Sequence, residues 1–149
     1  MTEYEQKLRD LLQITATQHA SDLHIAVGAK PTLRVDGVLV PLQKEPLITP
    51  DLAKGLSFAL MNEAQQQRLL TDKQIDLAYA YEDKARFRVN VFLQRGYYAA
   101  ALRLIPAQVK TIDELGLPPV LHDFAKLSQG FILAVGPAGQ GKSTTLASI

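Results

Sequence analysis

Residues 136–144 read GPAGQGKST and contain the pattern G-x-x-x-x-G-K-[S/T], whose residue types and spacing suit the binding of a phosphate group. Glycines let the backbone curl until successive N–H groups face the phosphate. Lys142 supplies a positive charge to the β- and γ-phosphates of a nucleotide, and the Ser143 hydroxyl is a ligand for Mg²⁺. We therefore predict a phosphate-binding loop (Walker A) with Ser143 as its metal ligand. The residues assigned to it are Gly136, Pro137, Ala138, Gly139, Gln140, Gly141, Lys142, Ser143 and Thr144.

The segments on either side of the loop support this prediction. The continuous apolar run Phe131–Val135 precedes it and is typical of a parallel strand buried on both faces. Lys142–Ile149 follows and has the composition of the start of a helix. A chain of this length matches the loop pattern by accident on the order of 0.5% of the time. The sequence thus predicts the strand, loop and first helical turns that open an α/β nucleotide-binding domain.

Length and composition restrict the possible functions. The 149 residues carry a net charge of +1, which is too small to indicate nucleic acid or an anionic membrane as a main partner. Direct insertion into a membrane is not expected either. There is no cysteine, which excludes disulfides and thiolate metal sites. The sequence has no apolar run of about 20 residues, as a membrane helix needs, and its N-terminus lacks an apolar signal core. We expect a soluble, cytoplasmic protein.

Hydrophobic periodicity before the loop predicts an α+β domain. An amphipathic helix comes first, and three short strands follow, two of them joined by the hairpin turn Asp36-Gly37. Two further helices begin at the N-cap residues Thr49 and Asn62. The period changes to two over 75–105, which predicts a three-stranded antiparallel meander. Its middle strand has an apolar face and a polar face, formed by Phe87, Val89 and Val91 and by Arg86, Arg88 and Asn90 respectively.

A change of composition marks the boundary between two domains. The segment 106–119 holds three prolines and one glycine in PAQVKTIDELGLPP, as is typical of a linker. We predict an α+β domain over 1–105, a linker over 106–119 and the beginning of the α/β domain over 120–149.

Several short motifs occur in a fixed order along the whole chain. They are SDLHI (21–25), LRVDG (33–37), ARFRVN (85–90), QRG (94–96), LRLIP (102–106), TIDELGL (111–117) and the loop followed by STTL (143–146). In this order they resemble the type II/IV secretion ATPase superfamily, and within it the type IV pilus retraction (twitching motility, PilT-like) ATPases. The resemblance covers residues 4–149.

The resemblance implies both a fold and a function. It implies a PAS-like N-terminal domain with an antiparallel sheet and helices, joined to the truncated start of a RecA-like P-loop ATPase domain. It also implies ATP and Mg²⁺ as cofactors, a homo-hexameric ring in the full-length protein, and pilus retraction as the work done. A platform protein of the inner membrane is the implied partner, which places the motor in the cytoplasm, peripheral to that membrane.

Three arginines gain a possible role from the same resemblance. Arg88, Arg95 and Arg103 match the FRVN, QRG and LRLIP motifs, whose arginines in the resembling family reach the nucleotide phosphates. A guanidinium on a rigid strand suits a developing phosphate charge. The alternative is that these arginines face solvent or pair with carboxylates on neighbouring strands. Arg86 is assigned to the solvated face.

Hydrolysis needs residues that the family carries after the loop, namely its acidic boxes, Walker B region and histidine box. We therefore expect this chain to bind ATP without turnover and assign it no catalytic residue. Two alternatives to a retraction motor stay open. One is an assembly or secretion ATPase of the same superfamily, and the other is a non-catalytic PAS-like module that serves in oligomerisation.

Overall fold

The computed structural model describes residues 2–83, 85–105, 110–137 and 140–149. The chain divides into two compact units, Met1–Ile105 and Pro106–Ile149. Lys84, predicted to lie in a turn, and 106–109 at the start of the predicted linker are outside the described residues.

The described part of the first unit has three helices, of which the second and third begin where capping chemistry predicts. They are α1 (Glu3–Thr17), α2 (Pro50–Ala59) and α3 (Glu63–Asp72). The side chain of Thr49 accepts a hydrogen bond from the N–H of Leu52 at 3.2 Å, and Asn62 forms a reciprocal capping box with Gln65. These caps satisfy N–H groups that otherwise lack an intrahelical partner.

Six strands form one antiparallel sheet in the first unit. They are β1 (Asp22–Ile25), β2 (Thr32–Val35), β3 (Val38–Pro41), β4 (Gln74–Tyr81), β5 (Ala85–Gln94) and β6 (Tyr97–Ile105), and their order across the sheet is β3-β2-β1-β6-β5-β4. The turn between β2 and β3 has positive φ at both Asp36 and Gly37, as its sequence predicts. The meander β4-β5-β6 is confirmed, and β1 joins it by pairing with β6.

The core lies between one face of this sheet and the three helices. Strand residues of that face alternate with residues of the opposite face, as the period of two requires. The buried members are Leu23, Ile25, Leu33, Ile75, Tyr81, Ala85, Phe87, Val89, Val91, Ala100 and Leu102 from the sheet, and Leu8, Leu11, Leu12, Ala53, Leu56 and Leu69 from the helices. The opposite face of the sheet is therefore the one that carries polar and charged residues.

The second unit contains two short helices, α4 (Val120–Ala125) and α5 (Lys142–Ser148). A capped turn precedes α4, in which the N–H of Thr111 donates to Glu114 Oε2 at 2.8 Å. The strand predicted over Phe131–Val135 is not formed, and the Phe131 side chain is exposed. A strand needs a neighbour to satisfy its backbone groups, and the described part of this unit supplies no paired strand.

No helix among the described residues is both long enough and apolar enough to span a membrane.

Candidate functional site

Charged side chains gather on the polar face of the sheet where β1, β2, β5 and β6 run side by side. Arg103 on β6 lies directly opposite Arg88 on β5 and, on its other side, opposite Asp22 on β1. Asp22 in turn lies opposite Arg34 on β2. Because directly opposed residues in a sheet project to the same face, these four charges form one row across four strands. We call this row of four residues the arginine row.

Asp22 is the most enclosed member of the arginine row. Its side chain is 9% exposed, and it accepts hydrogen bonds from Ser21 Oγ at 2.8 Å and from Arg103 Nε at 2.9 Å. The Nε of Arg34 lies 3.4 Å from Asp22 Oδ2, the oxygen that Arg103 does not contact. A nearly buried carboxylate needs such partners, since its desolvation would otherwise destabilise the fold.

The ionised form of Asp22 is favoured in the folded protein. Burial alone would raise the pKa of this carboxyl group, but hydrogen bonds from Ser21 and Arg103 lower it, as do the positive charges of Arg103 and His24. The net result is a pKa below the ordinary value of 3.8. Asp22 therefore carries a full negative charge near neutral pH.

Arg88 has a weaker partner than Arg103. Its Nε lies 3.9 Å from Asp76 Oδ1, and both side chains are largely exposed, at 73% and 63%. An exposed pair at that separation contributes little to stability, about 0–1 kcal/mol. The Arg88 guanidinium is thus available to an anion that approaches this face.

Arg95 does not join the other two arginines assigned from the sequence. It lies in the turn between β5 and β6, with φ of 53°. It lies seven positions after Arg88, which corresponds to about 23 Å along a strand. The structure therefore brings Arg88 and Arg103 together and leaves Arg95 at the far end of the same hairpin.

The described part of the predicted phosphate-binding loop lies in the second unit. Gly141 has φ of 80°, which favours glycine, and α5 begins at the next residue, Lys142. Lys142 Nζ donates to the carbonyl oxygen of Pro137 at 2.6 Å, so the lysine folds back over its own loop. Ser143 is the second residue of α5. The Lys142 ammonium is chemically suited to a nucleotide phosphate and the Ser143 hydroxyl to Mg²⁺. Ala138 and Gly139 of the same loop lie outside the described residues.

No group of three or more His, Asp or Glu side chains among the described residues is arranged to hold a metal ion. Ser143 is the residue of the loop that would hold a Mg²⁺ ion, together with phosphate oxygens and water. This coordination suits Mg²⁺, which is commonly bound through few protein groups together with substrate phosphates.

The sequence allowed these arginines to pair with carboxylates on neighbouring strands, which the structure shows for Arg88 and Arg103, but it did not identify the carboxylates. The motifs name no partner for Asp22, Arg34 or Asp76. The local signal is weak: Asp22 is the charged first residue of β1, next to the buried Leu23. Its pairing with Arg103 joins residues 81 positions apart, which no short-range pattern reports.

Comparison with known protein families gives one match that covers nearly the whole chain. Residues 2–149 match the model described as "Type II/IV secretion system protein".

Individual relatives agree with the family match. The chain is 37% identical over 142 residues to the type IV pilus retraction ATPase PilT of Pseudomonas aeruginosa, covering 95% of this chain and 41% of that protein. It is 34% identical over 139 residues to the type IV pilus ATPase PilU of the same organism, covering 93% of this chain and 36% of that protein. The chain thus spans less than half the length of these relatives.

A solved structure supports the same relationship. The crystal structure of the pilus retraction motor PilT with bound ADP superposes with a TM-score of 0.82 at 38% identity, over 94% of this chain and 41% of that one. The α+β architecture with its six-stranded sheet therefore has a counterpart among solved motors.

Proposed function

The chain belongs to the type II/IV secretion system protein family, and we propose that it is the ATP-binding N-terminal portion of a motor ATPase that powers type IV pilus retraction. The observation that carries the proposal is the loop sequence GPAGQGKST in a chain of this family. A loop of this kind has no use in a protein that serves only in subunit contacts. Retraction is preferred to assembly because PilT, one of the two relatives compared, is a retraction ATPase.

The residues of the loop have separate tasks in this proposal. Backbone N–H groups of the loop hold the phosphates, and Lys142 neutralises charge on the β- and γ-phosphates. Lys142 Nζ now donates to the carbonyl of Pro137, and that bond is exchanged for a phosphate oxygen when nucleotide binds. Mg²⁺ supplies further neutralisation of the phosphate charge, and the Ser143 hydroxyl helps to hold it.

The arginine row contributes a second set of positive charges. Arg88 and Arg103 lie side by side on a rigid sheet with most of each side chain exposed, at 73% and 71%. Two guanidinium groups at such a spacing suit the several oxygens of a triphosphate. We propose that both contact the nucleotide phosphates. Arg95 lies at the other end of the hairpin. Its proposed contact with nucleotide phosphates is therefore separate from the contact made by Arg88 and Arg103.

The assembly and its surroundings follow from the same proposal. The motor acts as a homo-hexamer in the cytoplasm and works on a platform protein of the inner membrane. The N-terminal unit is proposed to be PAS-like, and the second unit to open a RecA-like domain. Hydrolysis is assigned to the full-length motor and not to this chain.

Nucleotide binding is tested by the melting temperature of the chain with and without MgATP. A ligand that binds only the folded state stabilises it, by about 2.7 kcal/mol at a hundredfold excess over Kd. We expect stabilisation of the wild type and none of Lys142→Ala. The control is Lys126→Ala in the same unit, an exposed lysine beside Asp123 that should respond as the wild type does. Equal shifts in wild type and Lys142→Ala would contradict the proposal.

The motor role is tested in cells. Deletion of the gene should abolish pilus retraction, and a copy carrying Lys142→Ala should not restore it. Restoration of retraction by that copy would show that nucleotide binding at this loop is not needed for the proposed work.

A further inference from the structure

We propose that Asp22 is a positioning residue that fixes the guanidinium of Arg103 for its contact with the nucleotide. The inference rests on the proposed function, in which Arg103 contacts the phosphates. In this inference Asp22 determines the orientation of the Arg103 guanidinium. Asp22 thereby contributes to nucleotide binding without contacting the nucleotide.

The backbone around Asp22 is anchored on both sides. The N–H of Ser21 donates to the carbonyl of Arg34 at 2.8 Å, and the N–H of Leu104 donates to the carbonyl of Ser21 at 2.9 Å. Asp22 lies on β1 between β2 and β6, directly opposite Arg34 on β2 and Arg103 on β6. A carboxylate on such a framework has few alternative positions, so whatever it binds is held in register with the sheet.

Burial separates the role of Asp22 from that of Arg103. The Asp22 side chain is 9% exposed, whereas that of Arg103 is 71% exposed. A bound anion therefore reaches the arginine and not the carboxylate. The ion pair uses Arg103 Nε, at 2.9 Å, and a guanidinium has four further N–H donors on its two terminal nitrogens. The bond to Asp22 thus fixes the plane of the guanidinium and leaves its phosphate-binding edge free.

Arg88 provides a comparison on the neighbouring strand. Its aspartate partner, Asp76, is 63% exposed and 3.9 Å away, beyond hydrogen-bonding distance. One arginine of the opposed pair is therefore fixed and the other is able to move. Arg103, which is fixed, determines where the phosphates bind, and the Arg88 side chain adjusts to their position.

The test compares Asp22→Asn with Asp76→Asn. Each variant removes one negative charge from the same face of the sheet, so the general gain in positive potential is matched. Only Asp22→Asn weakens the hydrogen-bonded ion pair to Arg103. A difference between the two variants therefore reports positioning rather than charge.

The first measurement is made on the 149-residue chain by NMR of the arginine Nε–H groups. We expect exchange of the Arg103 Nε–H with water to become roughly tenfold faster in Asp22→Asn and to stay unchanged in Asp76→Asn, since a lost hydrogen bond removes protection. An unchanged Arg103 signal in Asp22→Asn would overturn the proposal whatever the protein does with ATP.

The second measurement is the kinetics of ATP hydrolysis by the protein that its own gene encodes. We expect Asp22→Asn to lower kcat/KM roughly tenfold and Asp76→Asn to stay within about twofold of wild type. In an Arg103→Ala background, Asp22→Asn should have no further effect, because its influence passes through that arginine. A residue needed only for folding would lower activity in both backgrounds.

The outcomes distinguish this inference from the proposed function. If Arg103→Ala retains wild-type kinetics, the proposed arginine contact is wrong and the inference falls with it. If Arg103→Ala is impaired but Asp22→Asn behaves like Asp76→Asn, only the positioning role is overturned. Arg103→Lys gives a second variant that keeps the charge of Arg103 but not its fork of donors, and we expect it to behave like Arg103→Ala.

Discussion

Arg88 and Arg103 occupy directly opposed positions on the antiparallel strands β5 and β6, so two positive side chains project side by side from one face of the sheet. Like charges in this arrangement destabilise a sheet, typically by a fraction of about 1 kcal/mol. The neighbouring aspartates reduce the repulsion only in part, because Asp76 lies 3.9 Å from Arg88. A pairing that is unfavourable for folding is expected at a site that binds an anion.

Removal of Arg88 therefore separates function from stability. We predict that Arg88→Ala lowers ATP hydrolysis by the full-length motor at least tenfold, since an arginine on the transferred phosphate is commonly worth more than that. Its melting temperature should equal or slightly exceed that of the wild type. The control is Arg86→Ala on the same face of β5, opposite Ile105, which should keep wild-type turnover. Unchanged turnover in Arg88→Ala would return this residue to the solvated face.

The second prediction concerns acid stability. The pKa of Asp22 is below its ordinary value in the folded protein, so the unfolded chain takes up this proton more readily. The stability that ionised Asp22 contributes is therefore complete above about pH 4 and is lost as the pH falls through the folded-state pKa. We predict that Asp22→Asn is less stable than wild type at neutral pH and loses less stability on acidification.

Urea unfolding at about pH 6 and about pH 3 measures this difference. Arg103→Ala should also flatten the pH dependence, because it removes a hydrogen bond and a positive charge that lower the Asp22 pKa. If both variants lose as much stability between these pH values as the wild type, Asp22 is not a source of the acid sensitivity.

Local chemistry made much of the N-terminal unit predictable. Thr49 and Asn62 have side chains that cap a helix, and Asp36-Gly37 suits a turn with two positive φ values, so these boundaries follow from neighbouring residues alone. The alternation in β5 likewise predicted which residues face the core. Each of these features depends on contacts over a few positions.

The arrangement of the site depends on pairings that are distant in sequence. Insertion of β1 between β2 and β6 brings Asp22 to Arg103 across 81 residues, and no local pattern encodes it. The same pairing register decides that Arg88 lies beside Arg103 while Arg95 does not. The apolar run Phe131–Val135 shows that local composition is not sufficient. Its composition predicted a strand, but a strand forms only where a neighbouring strand is present to pair with it.

The third prediction tests how α1 packs on α2. A Cβ added at Gly55 would lie 2.5 Å from ring atoms of Tyr4, closer than real contacts allow. Gly55→Ala should therefore lower the melting temperature although alanine favours helix by about 1 kcal/mol over glycine. In a Tyr4→Ala background the same substitution should raise it, because the ring is gone and only the helix propensity remains. An equal effect in both backgrounds would show that Tyr4 does not determine the approach of these helices.

The last prediction concerns the end of α3, where Lys73 has φ of 63°. This left-handed conformation is unfavourable for a residue with a Cβ by about 1 kcal/mol or more and is readily adopted by glycine. Lys73 holds it because its N–H donates to the carbonyl of Leu69 at 2.9 Å and its own carbonyl accepts from the N–H of Leu93 at 3.0 Å, which joins the helix end to β5.

We predict that Lys73→Gly is more stable than Lys73→Ala by about 1 kcal/mol in urea unfolding, since both lose the side chain and only glycine removes the unfavourable φ. The comparison with alanine is needed because the Lys73 amine also donates to the carbonyl of Leu70 at 2.6 Å, a contact that both variants lose. Equal stability of the two variants would mean that the chain leaves the left-handed conformation once the lysine is removed. In that case the junction between α3 and β5 would be held by the lysine side chain and not by the backbone bonds to Leu69 and Leu93.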